Sequence, residues 1–149
     1  MSGDLRDILG RRTLVLDGAL GTELARRGVE TPLPLWSAAA LRSAPEVVEA
    51  IHRDYALAGA DILVANTFRT SPRTLRSAGL AGEGPDLNRL AVQLARRAAR
   101  AANRPVWVAG SVAPVEDCYA PDRAPPFKTL VGEHVQMAAW LRDAGADLL

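Results

Sequence analysis

Polar side chains that could bind a small substrate follow three aliphatic segments of the sequence. Asp17 and Gly18 close the segment TLVLDGA, Asn66 and Thr67 follow DILVA, and Ser111 comes directly after PVWVAG. Aliphatic segments of this length without alternation are typical of strands buried in a parallel sheet. Because the carboxyl ends of parallel strands meet at one edge, we expect these polar groups to form a site there.

Cysteine and histidine, which supply many metal ligands and nucleophiles, are scarce. The chain has one cysteine, Cys118, and two histidines, His52 and His134, which both fall in predicted helices. A zinc site commonly needs three or four protein ligands, so we expect no self-contained metal site. We interpret the histidines as packed or solvated residues of the outer helix layer, and Cys118 as unreactive.

Length, charge and hydropathy exclude several classes of protein. The 149 residues carry 18 basic and 17 acidic side chains, a formal net charge of +1. That balance argues against a dedicated nucleic-acid or anionic-membrane surface. Residues 1–12 lack the apolar centre of a signal peptide, and no apolar run approaches the ~20 residues that span a bilayer. We expect one cytoplasmic domain over residues 1–149, without nucleic-acid or membrane partners.

Helices are predicted between the aliphatic segments. Strands are expected to begin near residues 13, 61, 105 and 146, and helices to cover 21–27, 44–58, 71–78, 87–100 and 129–144. Ser43 and Glu46 have the spacing of a capping box, and Asp86 is a predicted N-cap. The apolar side of the last helix is expected to consist of Leu130, Val131, Val135, Ala138 and Leu141.

The repeated helix–glycine–strand units predict a parallel sheet with helices outside it. The sequence AGADIL at 58–63 recurs as AGADLL at 144–149, each time where a helix ends and a strand begins. A doubly wound sheet usually carries a phosphate motif after its first strand, but DGALGTEL is neither G-x-G-x-x-G nor a Walker loop. The polar strand ends favour a (β/α)8 TIM barrel, which needs ~250 residues. This chain would supply its first three to four βα units.

Five motifs in this order resemble the homocysteine S-methyltransferase family. They are DGALGTEL at 17–24, LWS at 35–37, HRDY with AGAD within 52–61, NTF at 66–68 and VAGSVAP at 108–114. The family includes betaine- and S-methylmethionine-dependent enzymes and the homocysteine module of cobalamin-dependent methionine synthase. The resemblance, which covers residues 13–149, implies a (β/α)8 barrel enzyme of methionine biosynthesis. Its zinc would hold homocysteine as a thiolate that accepts a methyl group.

The resemblance also implies roles for residues of this chain. Asp17 matches a strand-end carboxylate that holds the amino-acid part of homocysteine, and a carboxylate suits an ammonium group. Gly18 would let the substrate approach the backbone, and Trp36 would lie on the side of the methyl donor. The predicted substrate-binding residues are Asp17, Gly18, Trp36, Thr67, Phe68 and Ser111. Structural alternatives are a turn at Asp17, a cover over the barrel edge at Trp36 and a turn cap at Ser111.

The sequence departs from the family pattern at the metal. The family's zinc ligands are three cysteines on later strands, and Cys118 does not match any of them. We therefore assign no catalytic or metal-binding residue here, and expect an N-terminal part of the enzyme that is inactive alone. The cysteines and a further substrate-binding glutamate would follow residue 149. The alternatives are a non-catalytic half-barrel that needs self-association or a partner to close its sheet, and a barrel for another amino acid or a phosphate ligand. The methyl donor is not predicted, and a homo-oligomer is compatible with the sequence.

Overall fold

The computed structural model of the chain describes residues 5–116 and 119–149, so Cys118 lies outside the described residues. The helices in these ranges are α1 (Leu5–Leu9), α2 (Leu20–Arg26), α3 (Ala40–Ser43), α4 (Pro45–Ala58), α5 (Pro72–Ser77), α6 (Gly84–Ala99) and α7 (Phe127–Asp143). The strands are β1 (Ile62–Ala65) and β2 (Trp107–Gly110), and short 3-10 turns cover Trp36–Ala39, Arg100–Ala102 and Pro121–Arg123. None of the helices in the described ranges is long and apolar enough to cross a membrane.

The sheet is parallel, and its spatial order follows the chain. β1 and β2 pair in parallel over all four residues of each strand. On one side Leu16 forms a parallel bridge to Ile62, and on the other Leu148 forms one to Ala109. Helices occupy every connection between these segments. The prediction of a parallel α/β fold is therefore confirmed at this level.

The predicted first strand over 13–19 is wrong in extent, because the structure retains a single bridge there. The carbonyl of Val15 accepts the N–H of Ile62 at 3.2 Å, and the N–H of Asp17 donates to the carbonyl of Ile62 at 2.9 Å. At the next position the N–H of Val64 donates to the carboxylate of Asp17, at 3.0 Å, and not to a backbone carbonyl. The backbone hydrogen bonding between this segment and β1 therefore ends at Asp17, whose side chain takes the place of a main-chain acceptor.

Helix α4 does not begin with the predicted capping box. Pro45 occupies the first turn, where its missing N–H leaves no hydrogen bond unmade, and Ala44 is the N-cap. Ser43 is the last residue of α3, and its hydroxyl donates to the carbonyl of Ala39 at 3.3 Å. The predicted end of α4 is confirmed, since Gly59 adopts a φ of 113° there.

Helix α6 supplies much of the core. It begins at Gly84 with Pro85 in its first turn, so Asp86 lies inside that turn and the prediction that it is the N-cap is wrong. The predicted apolar face is buried and packs with α4, β1 and β2. Its fully or nearly fully buried members are Leu87, Ala91, Leu94, Ala95 and Ala98.

Helix α7 buries only part of the predicted apolar side, since Leu141 is fully buried but two valines are exposed. Val131 and Val135 are 44% and 63% exposed, whereas Glu133 is buried. The carboxylate of Glu133 accepts the N–H of Arg73 at 2.9 Å and pairs with the guanidinium of Arg76, both on α5. This pairing fixes the face that α7 turns toward α5, and the apolar pattern alone could not reveal it.

The repeated AGAD sequence forms the same structure twice. The glycine of each copy has a positive φ, 113° in the first and 85° in the second, and ends a helix. The carboxylate of Asp61 accepts the N–H of Val15 at 3.0 Å, and that of Asp147 accepts the N–H of Val108 at 2.8 Å. Each aspartate therefore fixes the start of one strand to its neighbour in the sheet.

Candidate functional site

A cavity of about 630 Å³ opens at the carboxyl end of the sheet. Residues that follow the Leu16 bridge, the end of β1 and the residue after β2 all line it. Its lining residues include Gly18, Ala19, Leu20, Trp36, Ser37, Val64, Asn66, Phe68 and Ser111. Clefts at the carboxyl ends of parallel strands are the usual place for small-molecule sites in α/β proteins.

The structure divides the six predicted site residues into two groups. Gly18, Trp36, Phe68 and Ser111 line the cavity. The side chains of Asp17 and Thr67 are buried behind its wall, and neither residue is part of the lining.

Thr67 joins the ends of the two strands. Its hydroxyl accepts the N–H of Ser111 and donates to the carbonyl of the same residue, both at 2.9 Å. The side chain is fully buried, so these bonds are not exchanged with water. Thr67 therefore sets the position of Ser111 at the cavity wall.

Asp17 places a carboxylate directly behind Gly18. Its side chain is only 5% exposed, and one of its oxygens accepts the N–H of Val64 at 3.0 Å. That oxygen lies 3.5 Å from Nδ1 of His52, and no arginine or lysine of the described residues pairs with Asp17. The negative charge is therefore not balanced by a permanent cation, and it acts on the neighbouring cavity.

Helix α4 carries two residues that support the turn after Asp17. His52 is fully buried, and within the described residues its ring nitrogens have no hydrogen-bond partner. Tyr55 lies one turn later, under Gly18, where burial and then the charges of Glu23 and Asp17 raise the pKa of its hydroxyl. The sequence interpretation placed His52 in the outer layer and included Tyr55 in the HRDY motif without giving it a role at the site. The i, i+3 spacing of His52 and Tyr55, which puts both side chains on one face of α4, was the sequence feature that could have indicated their shared position.

Trp36 is held over the cavity by a bonded turn. The side-chain oxygen of Asn66 accepts the hydroxyl of Ser37, and its NH₂ group donates to the carbonyl of Ser37, both at 2.8 Å. Trp36, at the start of this turn, has a φ of 51°, which is uncommon for a bulky residue. Asn66 was identified as a strand-end residue but not among the six predicted contacts.

Arg69 brings a positive charge to the same rim. Its guanidinium carbon lies 5.7 Å from the ring centre of Trp36 and 5.5 Å from that of Phe68. Both distances are within the range of cation–π contacts. The sequence interpretation overlooked Arg69, although it directly follows the NTF motif.

The described residues do not provide a ligand set for the zinc that the family resemblance implies. In residues 5–116 and 119–149, no three His, Cys, Asp or Glu side chains are arranged to hold a metal ion. Asp17 and His52 are close together, but no third ligand accompanies them. This part of the chain offers a cavity with an acidic group behind one wall and a basic group at its rim.

These features define a parallel α/β protein with a small-molecule cavity at the strand ends. The family model described as homocysteine S-methyltransferase matches residues 14–149. The chain therefore belongs to the homocysteine S-methyltransferase family.

Relatives and solved structures agree with this assignment. The chain is 35% identical to a homocysteine S-methyltransferase of Escherichia coli (strain K12), over 97% of this chain and 51% of the relative. It is 32% identical to a selenocysteine methyltransferase of Astragalus bisulcatus, over 93% of this chain and 49% of the relative. The crystal structure of the oxidized homocysteine methyltransferase MmuM from Escherichia coli matches with a TM-score of 0.86 and 33% identity, covering 99% of this chain and 56% of that one.

A metallated form of the same MmuM protein matches with a TM-score of 0.85 and 33% identity, over 97% of this chain and 55% of that one. A relative of this chain can therefore hold a metal. The chain spans about half the length of the curated relatives it matches.

Proposed function

We propose that this chain forms the amino-acid-binding part of a homocysteine S-methyltransferase, which transfers a methyl group to the sulfur of homocysteine and yields methionine. The observation that carries the proposal is the cavity at the strand ends. Residues of the DGALGTEL, LWS, NTF and VAGSVAP motifs, which are separated in the sequence, line this one cavity. The similarity to the structures of MmuM, a homocysteine methyltransferase of Escherichia coli, supports it.

The charges around the cavity suit a zwitterionic amino acid. Asp17 supplies negative charge behind Gly18, where an ammonium group would bind, and Arg69 supplies positive charge at the rim. Between them the lining is largely apolar, with Ala19, Leu20 and Val64 among its members. Apolar walls with a few placed polar groups favour the short aliphatic chain of homocysteine over a sugar or a nucleotide.

The complete fold and the metal are further parts of the proposal. Four parallel segments in chain order, with helices between them, are the arrangement of consecutive units of a (β/α)8 barrel. We assign residues 1–149 to one homocysteine-binding domain of such a barrel. Zinc bound to a thiol would supply a thiolate nucleophile at neutral pH. Its ligands would come from outside the residues described here, whose own task is to bind and orient the substrate.

Binding measurements with a deaminated substrate test the role of Asp17. We expect Asp17→Asn to weaken homocysteine binding about 10-fold, because the negative charge behind Gly18 that attracts the ammonium group is lost. Binding of 4-sulfanylbutanoate, which lacks only the amino group, should change less than about 2-fold in the same variant. Glu46→Gln, at the exposed start of α4, is the charge-matched control. Calorimetry that showed equal losses for both ligands would contradict the attraction between Asp17 and the ammonium group.

A second candidate, a half-barrel without catalytic activity, is favoured by one observation. Val15 and Leu16 on one side of the sheet, and Phe127, Val131 and Val135 along α7, are exposed apolar residues. Apolar surface beside an unpaired strand edge promotes association. This candidate predicts a dimer or a larger assembly of the 149-residue chain in light scattering. A stable monomer would argue against it.

A further inference from the structure

Arg69 lies at the boundary between the substrate cavity and a second groove. The two rings that its guanidinium contacts, Trp36 and Phe68, line the cavity. Arg69 itself lines the groove, which has a volume of about 570 Å³ and includes Arg73 and Arg76. A ligand that fills the cavity and extends past these rings would therefore meet the guanidinium.

The hydrogen-bonding capacity of Arg69 is not used by its neighbours. Its Nε is buried and has no hydrogen-bond partner among the described residues. Two of the other three groove arginines are paired, Arg73 with Glu116 and Arg76 with Glu133, and the third is Arg123. No carboxylate in the described ranges pairs with Arg69 in the same way.

The cation–π contacts of Arg69 with Trp36 and Phe68 do not satisfy its buried N–H donor. They use the charge of the guanidinium and leave its buried Nε without an acceptor among the described residues. A buried donor without an acceptor is costly, and a guanidinium presents its donors in a fork that matches a carboxylate. The geometry therefore favours an anionic ligand that completes the bonding of Arg69.

We propose that Arg69 is a carboxylate-binding residue, held between Trp36 and Phe68, that recognises the carboxylate of an amino-acid ligand in the cavity. The inference rests on the proposed function, since the ligand is homocysteine or a methyl donor that carries a carboxylate. Trp36 and Phe68 position the guanidinium, and Arg69 selects ligands with a carboxylate over analogues without one.

Matched ligand pairs test the proposal on the complete protein that contains this chain. The first pair is homocysteine and 3-aminopropane-1-thiol, which lacks only the carboxylate. The second pair is S-methylmethionine and its decarboxylated sulfonium analogue, (3-aminopropyl)dimethylsulfonium. Dissociation constants are measured by calorimetry for the wild type, Arg69→Gln and Arg69→Lys. Arg89→Gln, an exposed arginine of α6, controls for net charge, and thermal unfolding monitors the fold of each variant.

Arg69→Gln should weaken the carboxylate-bearing member of at least one pair by about 10- to 100-fold, and its decarboxylated partner by less than about 3-fold. The loss of binding in Arg69→Lys should be smaller than in Arg69→Gln, because lysine keeps the positive charge but lacks the forked donors of a guanidinium. The pair that responds identifies whose carboxylate is bound. Equal losses within both pairs, or no loss in either, would overturn the proposal.

The proposal can fail separately from the proposed function. Methyl transfer to homocysteine by a protein whose binding does not depend on Arg69 would contradict the carboxylate contact alone. Arg69-dependent binding without methyl transfer would contradict the methyltransferase function alone. A wild-type protein that binds none of the four ligands would overturn both.

Discussion

Replacing Asp61 with asparagine should destabilise the fold strongly, because its carboxylate joins three parts of the chain. Both oxygens accept from Arg12 at 2.9 Å, and further bonds come from the N–H of Val15 at 3.0 Å and from Arg104 at 3.3 Å. The side chain is only 8% exposed. An asparagine retains one acceptor oxygen and turns an NH₂ group toward the guanidinium donors.

The magnitude follows from these contacts. Charge-assisted hydrogen bonds contribute about 1.5–3 kcal/mol each, but Arg12 lies at the surface and regains water when its partner is lost. We therefore expect Asp61→Asn to lower the free energy of unfolding by about 2 kcal/mol. For a chain of this size that corresponds to a fall in Tm of about 4–8 °C.

The sequence repeat supplies a matched control. Asp147 makes the same backbone bond, to Val108, but it pairs with one arginine, Arg96, and its side chain is 32% exposed. Asp147→Asn should therefore cost less than about 1 kcal/mol. Urea unfolding followed by circular dichroism measures both variants. Equal losses would show that the shared backbone bond, and not the pairing with two arginines, accounts for the whole effect.

Three further predictions concern pH, the turn at Gly18 and the buried acid of α7. Hydrogen bonding to Arg12 lowers the pKa of Asp61, so the contribution of this carboxylate to stability is complete above pH ~4 and is lost as the pH falls further. The free energy of unfolding, measured as a function of pH in the acid range, should therefore change less in Asp61→Asn than in the wild type. Parallel pH profiles would contradict this. Gly18→Ala should cost about 1–3 kcal/mol in thermal unfolding, since the added Cβ would lie 2.7 Å from the hydroxyl of Tyr55. In the control variant Gly132→Ala, in α7, the added Cβ meets no atom within 4 Å, and the change should stabilise the fold by about 0.5–1 kcal/mol. A Gly18→Ala variant more stable than Gly132→Ala would count against the close packing under Gly18. Glu133→Gln should cost about 1–2 kcal/mol in urea unfolding through its lost ion pair with Arg76, against less than about 0.5 kcal/mol for exposed Glu46→Gln. An unchanged Glu133→Gln variant would show that the burial of this acid does not depend on its charge.

The order of helices and strands was predictable because local residues determine it. Gly59 and Gly145 end helices as the sequence indicated, and the apolar face of α6 is the predicted one. The first strand was not predictable in extent, because the Asp17 side chain replaces a backbone acceptor there. The buried face of α7 depends on the pairing of Glu133 with α5, which no periodicity encodes.

The candidate site was predictable in position but not in the direction of each side chain. Strand ends placed Gly18, Phe68 and Ser111 at the cavity. The same rule cannot show that Asp17 turns toward Val64, because the direction of a side chain depends on its hydrogen-bond partners. Arg69 escaped detection for a related reason, since its two aromatic contacts involve tertiary structure.

Transfer of an isotopically labelled methyl group to homocysteine is the direct test of the proposed methyltransferase function. The complete, metal-loaded protein is incubated with homocysteine and, in separate reactions, methyl-labelled S-methylmethionine, betaine or methylcobalamin, and the products are analysed by mass spectrometry. We expect labelled methionine with at least one donor, and a rate that falls in Gly18→Ala. Homocysteine recovered unmethylated with every donor, from a folded protein that does not bind it, would show that the proposed function is wrong.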